Sequence, residues 1–166
     1  MRYYAFLPFA LLLCAQPVLA DTAAGPVRVE FVQPEKFTDV NERQTRTAPE
    51  KNHHLYVLRT HVEKRGARYL QPGQQLEIRF TDIDLAGDHL PQMDPALADV
   101  RVVTRLYPPR LKFSYVLRDA GGGVLKSGDV DLRDLAFDTQ SGTPYTDALR
   151  YEKRMLDKWM RQTLGG

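Results

Sequence analysis

Cysteine is almost absent from this chain: Cys14 is the only one in 166 residues. It falls within a hydrophobic start, so everything beyond that start is without a disulfide, a thiolate metal site or a cysteine nucleophile. No Asn-x-Ser/Thr acceptor occurs either. Together these absences fit a bacterial periplasmic chain better than a eukaryotic secreted one. Charge of one sign is also lacking, with 23 Lys and Arg against 21 Asp and Glu. So close a balance leaves neither the footprint of a nucleic-acid binder nor a strong steering field. Ser114, Ser127 and Ser141 lack the Gly-x-Ser-x-Gly elbow. The glycines at 121–123 lack the Lys and the helix that a phosphate-cradling loop requires.

What is present begins with a leader. Arg2 is the only charge in residues 1–20, and an uncharged run from Tyr3 to Ala15 follows. That run, about 13 residues, is too short to span a bilayer as a helix. Gln16 and Pro17 break it, and Val18-Leu19-Ala20 offers small residues where a signal peptidase reads. The expectation is a cleaved signal peptide over 1–20 and a single domain over 21–166, with Asp21 as the new N-terminus. Leu13 stands before Cys14 where a lipoprotein signal needs a small residue, so lipidation is not expected. No later segment is apolar enough to be membrane-spanning.

Beyond the leader, hydrophobic periodicity predicts the elements. Val27, Val29 and Phe31 alternate with polar residues as in a half-buried strand. Thr47-Ala48-Pro49-Glu50 has the form of a capping box at a helix start. Leu55, Leu58, Val62 and Tyr69 then form one apolar stripe. Leu76, Ile78 and Phe80 alternate cleanly, but the next apolar residues are Ile83 and Leu85, one place out of phase. A bulge or a strand end is predicted there, because an uncorrected slip would turn Asp82 and Asp84 inward. A long loop is expected over 86–99, a strand over 100–106, and a hairpin of strands 111–117 and 124–132 around three glycines. Thr143-Pro144 reads as a second helix start. From it Ala148, Leu149, Tyr151, Met155, Leu156, Trp159, Met160 and Leu164 make one broad apolar face. The order of elements predicts an α+β fold: a mostly antiparallel sheet of about five strands with two amphipathic helices packed on one face.

Four stretches resemble one bacterial family of exported proteins, the domain-of-unknown-function family 3016. They are VEFVQPEKFTDV (29–40), RYLQPGQQLEIRFTDIDLAGD (68–88), YPPRLKFSYVLRDAGGGVLKSG (107–128) and LRYEKRMLDKW (149–159). The resemblance covers nearly all of the chain after the leader. It implies an exported bacterial single-domain protein, and carries no activity and no functional residues.

Candidate sites come from the residues themselves. Asp82 and Asp84 share a strand face, and Asp88 beyond Gly87 completes a set of oxygens that suits Ca²⁺, with His89 alongside. The twelve-residue EF-hand pattern is missing, and Asp at a strand end also serves turns by accepting backbone N–H bonds. His54 and His61 stand seven residues apart, too far to share one ion on a helix. Arg150, Arg154 and Lys158 line one side of the last helix, suited to an acidic partner or an anionic membrane surface. Tyr107 and Arg110 flank Pro108-Pro109 as an aromatic-proline contact surface or a sheet-edge guard. The expectation is a non-enzymatic periplasmic binding module that takes an unknown protein or ligand through a sheet edge or the 86–99 loop. The rival is a divalent-metal-binding domain or small hydrolase-like enzyme centred on Asp82, Asp84 and Asp88.

Overall fold

A computed structural model describes residues 25–40, 52–89, 100–139 and 147–165. The expected leader, both expected helix starts and most of the 86–99 loop lie outside the described residues. In chain order the elements are β1 (Val27–Phe31), α1 (His53–Gly66), β2 (Gln75–Asp84), β3 (Arg110–Arg118), β4 (Val124–Arg133) and α2 (Arg150–Leu164). Spatial order in the sheet is β1-β2-β3-β4.

The fold is α+β, as expected, but its sheet is mixed and has four strands. β1 runs parallel to β2, because α1 carries the chain back across the sheet between them. The other two pairings are antiparallel. The strand expected over 100–106 is absent and only a single bridge, Val102 to Asp88, forms there. Its backbone groups are spent on a local turn instead: Val102 and Asp88 exchange both bonds, Tyr107 N–H donates to Thr104 and Gly87 N–H to Tyr107. A folded-over segment of this kind leaves no row of donors to extend a sheet.

The out-of-phase step in β2 is a bulge. Pairing with β3 runs from Phe80–Phe113 directly to Asp82–Lys112, so Thr81 is the extra residue. One added residue restores the inward phase, and Phe80 and Ile83 are both fully buried. Asp82 and Asp84 thereby join Lys112 and Arg110 on the face away from the core.

Both helices cover the other face. Leu55, Leu58 and Val62 of α1 are buried. Gly66, at the end of α1, lies so close to β1 that an added Cβ would sit 3.3 Å from Val27 Cγ2. α2 buries Met155, Leu156, Trp159, Met160 and Leu164. Trp159 stands edge-on to Phe113 at 4.8 Å and to Tyr115 at 5.2 Å. The helices are clamped together by Asp157, which receives Arg65 at 3.1 Å and lies 2.9 Å from His61 Nε2. The helix-free sheet face carries exposed ion pairs such as Arg79–Glu30. Pairs of that kind contribute about 0–1 kcal/mol each, so the buried face carries the stability. Among the described residues no helix is long and apolar enough to cross a membrane.

Asn52 ties α1 to the chain that precedes it. Its Oδ1 accepts from Leu55 N–H at 3.2 Å as the N-cap, and its Nδ2 donates to the Val40 carbonyl at 3.0 Å. The side chain is buried, so removing it orphans two polar groups at once. Asn52→Ala is expected to lower stability by about 2 kcal/mol in urea titration. Asn52→Ser keeps a side-chain cap for the Leu55 N–H but loses the Val40 bond, and its loss is expected to be smaller than that of the alanine variant.

Candidate functional site

The structure gives the acidic residues that the sequence groups different surroundings. Asp82 is occupied by the chain crossing in front of it, accepting Thr38 N–H at 2.9 Å and Thr38 Oγ1–H at 3.1 Å. Partial burial pushes its carboxyl up, but the Thr38 bonds and Lys112 outweigh that and hold it below the usual carboxylate range. Asp84 is raised instead, by burial first and then by the neighbouring charges of Asp39 and Asp82. Asp88 turns its Oδ1 back to His89 N–H at 2.7 Å, and its backbone is bridged to Val102. Among the described residues no three His, Cys, Asp or Glu side chains are grouped to hold a metal ion. Asp82 and Asp88 each accept a backbone N–H, as Asp does where a chain turns.

The surface candidates fare unequally. Tyr107 is half-buried and uses its backbone on Gly87. Arg110 grips Asp131 across the open sheet face. Arg150 donates to Tyr151 Oη at 2.9 Å and its guanidinium lies 4.4 Å from the centre of that ring. These three are engaged locally. Arg154 and Lys158 are brought together in a groove of about 230 Å³ between the end of β4 and α2.

The groove has an apolar part and a cationic part. Leu132, Met155 and Trp159 supply the apolar surface, and Arg133, Arg154 and Lys158 the charge, with Asp134 and Gln162 completing the wall. Arg154 is fixed by Asp134 Oδ2 at 3.1 Å and the Phe137 carbonyl at 2.8 Å. Among the described residues the Arg133 and Lys158 side chains are exposed and make no hydrogen bond or ion pair, and Arg133, opposite Arg110 in the ladder, stands on the face away from the core. Arg154 and Lys158 against one carboxylate leave the groove positive. Ligand pockets for drug-sized molecules run from about 300 to 1,000 Å³, so this one accommodates a side chain or two rather than a cofactor.

Beside the groove lies a free sheet edge. Among the described residues β4 pairs only with β3 along its ten residues. Val124 and Leu125 are exposed at its start, and Leu135 just past its end is 71 % exposed. Gly128 leaves the inward-facing row of β4 open over the Tyr115 ring, where a Cβ would come within 3.4 Å. A strand with one unpaired row of N–H and C=O groups is a template for another strand. Sequence reasoning selected Arg154 and Lys158 by their helical spacing but missed Arg133 as a lining residue of the same groove. Arg133 sits at a strand end with nothing to mark it.

Glu152 was also missed. It lies on the buried side of α2, 1 % exposed, and its Oε1 accepts Ala86 N–H at 2.7 Å. Its Oε2 has no hydrogen-bond partner. The bond anchors the start of the expected 86–99 loop, and Arg101 secures the same turn by bonding the Gly87 carbonyl at 2.9 Å and Asp39 at 3.0 Å. Burial drives the Glu152 carboxyl well above its usual range, with the Ala86 N–H and then Arg101 and Arg150 offsetting only part. A carboxyl raised in the folded state binds its proton more tightly there than in the unfolded chain. Its ionisation therefore costs stability as pH rises above the ordinary glutamate range. The Glu152→Gln variant keeps the acceptor for Ala86 and removes the titration. Urea midpoints of the variant are expected to exceed those of the parent at pH 8 and to converge with them toward pH 5.

Nearly all of the described domain lies within one family match. Residues 25–162 match the family described as protein of unknown function (DUF3016). No curated protein and no solved structure matches the chain. The segments that carry the resemblance in the sequence span β1, β2, the β3–β4 hairpin and α2, and the match runs through all of them: the chain belongs to the DUF3016 family.

Proposed function

We propose that this protein is an exported, non-enzymatic binding module of the bacterial envelope that accepts an extended polypeptide segment along β4. One observation supports this above the rest: a ten-residue edge strand with a free hydrogen-bonding side, next to a positive, apolar-walled groove. Strand addition supplies affinity through main-chain bonds, and a side-chain pocket beside the edge supplies selectivity. The opposite edge is less suited, since β1 is only five residues long. Export rests on the leader at 1–20, and a cysteine-free domain is indifferent to an oxidising compartment.

A photo-crosslinking residue placed at Leu125 is expected to capture a partner in intact cells. The same residue at Tyr56, exposed on α1, is expected to capture none. Adducts from Tyr56 alone, or equal adducts from both positions, would refute the use of the β4 edge. Fractionation followed by N-terminal sequencing is expected to find the chain in the periplasm beginning at Asp21, and the intact leader in the cytosol would refute export. The rival centred on divalent metal has little support from Asp82 and Asp88, whose carboxylates are occupied by Thr38 and by the His89 amide. Ca²⁺ at millimolar concentration is expected to leave the melting temperature unchanged, and a rise abolished by Asp82→Asn would restore the metal reading.

A further inference from the structure

The groove beside β4 restricts what such a segment can be. α2 lies over the core face of the sheet, and its side chains at 154, 158 and 162 recur at four-residue steps along the groove, opposite the end of β4. A strand added to β4 would continue the sheet beneath that side of α2. Alternate residues of the added strand would then turn into the groove.

We propose that the occupant is an extended segment with a bulky apolar residue and a carboxylate two positions apart, both turned inward. This rests on the strand-addition reading above and adds the chemistry of the partner. The apolar residue would meet Trp159, Met155 and Leu132, whose surfaces form the apolar part of the groove. The carboxylate would meet Lys158, whose ammonium makes no ion pair among the described residues. Arg154, already committed to Asp134 and Phe137, adds positive potential without moving. A basic residue at the same inward position would face Arg154 and Lys158 and is rejected by like charge. The outward-facing row of β4 has the opposite bias. Among the described residues the Asp129 side chain there makes no hydrogen bond or ion pair, so the outward positions beside it tolerate Lys or Arg.

Trp159 is the only tryptophan in the chain and lines the groove, so its emission reports occupancy directly. Four blocked ten-residue peptides serve as probes. The first alternates Thr with inward Phe and Glu, the second replaces Glu with Lys, and the third is the first with N-methylated backbone amides. The fourth replaces Phe with Ser. The Phe/Glu peptide is expected to shift the emission and to bind about tenfold more tightly than the Lys peptide, a difference near 1.4 kcal/mol. Lys158→Glu is expected to reverse that order, and the Ser peptide to bind weakly.

The outcomes separate the two levels of the proposal. Equal binding of Glu and Lys peptides, with sensitivity to N-methylation, would overturn the charge selectivity and leave strand addition standing. Binding of the Phe/Glu peptide that ignores N-methylation would overturn strand addition and keep the groove. An equal emission shift with dodecanoate would assign the groove to a free anionic amphiphile and overturn the segment. A concentration-dependent dimer that blocks the peptides would make a second copy of this chain the occupant, against the proposal. No shift with any probe, in a protein whose melting curve is normal, would overturn both.

Discussion

A strand has a side-chain period of two, and β2 has to satisfy it twice with a sequence that slips once. Thr81 absorbs the slip. Because of that single unpaired residue, Leu76, Ile78, Phe80 and Ile83 all reach the same core, packed against both helices. Without it, Asp82 and Asp84 would be driven under the helices, and burial of unpaired carboxylates costs several kcal/mol each. The bulge also decides where the carboxylates go. Asp82 reaches the Thr38 turn, and Asp84 lies beside Asp39. The chain before α1 is thereby stitched to the end of β2, and Phe37 and Val40 are carried into the core.

The polar groups that are buried do a different task from those on the surface. Glu152, Asn52 and the Asp157 clamp each join segments that are distant in sequence, and each does so through the backbone or through a second helix. Their energy is modest compared with apolar burial, but their geometry is specific. They fix where α1 starts, how α2 lies against α1, and where the chain turns after Leu85. The groove depends on this, because its two walls belong to β4 and α2, and α2 is positioned by contacts on its opposite side. Charges on the helix-free sheet face have no comparable role, being exposed pairs of nearly balanced sign.

Much of this was legible in the residues. Period-two alternation located β1, β2 and β3, the glycine turn placed β4 as the return strand, and the phase slip after Phe80 located the bulge. The 3.6-residue stripes located both helices, and Asp119 with three glycines located the hairpin, where the Asp119 side chain accepts from Gly121 and Gly123. What misled was local pattern without knowledge of partners. Residues 100–106 alternate well enough for a strand, but Val102 pairs back on Asp88 and Arg101 is drawn to Asp39. Parallel pairing of β1 was also beyond reach, since alternation says which face a strand buries and not which way its neighbour runs. Asp82 and Asp88 are neighbours in sequence whose carboxylates take different partners in space, Thr38 and the His89 amide. Glu152 carries no sign in the sequence of being buried among Met155, Leu156 and their neighbours.

The parallel pairing of β1 with β2 bears on the order in which the chain acquires its structure. β2, β3 and β4 follow one another and meet as antiparallel neighbours, the last two through a tight turn. β1 must wait for a partner whose first paired residue, Leu76, lies nearly fifty positions downstream of Val27. Closing so long a span before any compensating contact is slow, and contacts of that separation form late. A chain emerging from a pore with its amino end first would present Val27, Val29 and Phe31 long before anything exists for them to pair with. That stretch, short and interrupted by Arg28 and Glu30, is correspondingly ill-suited to self-association during the interval.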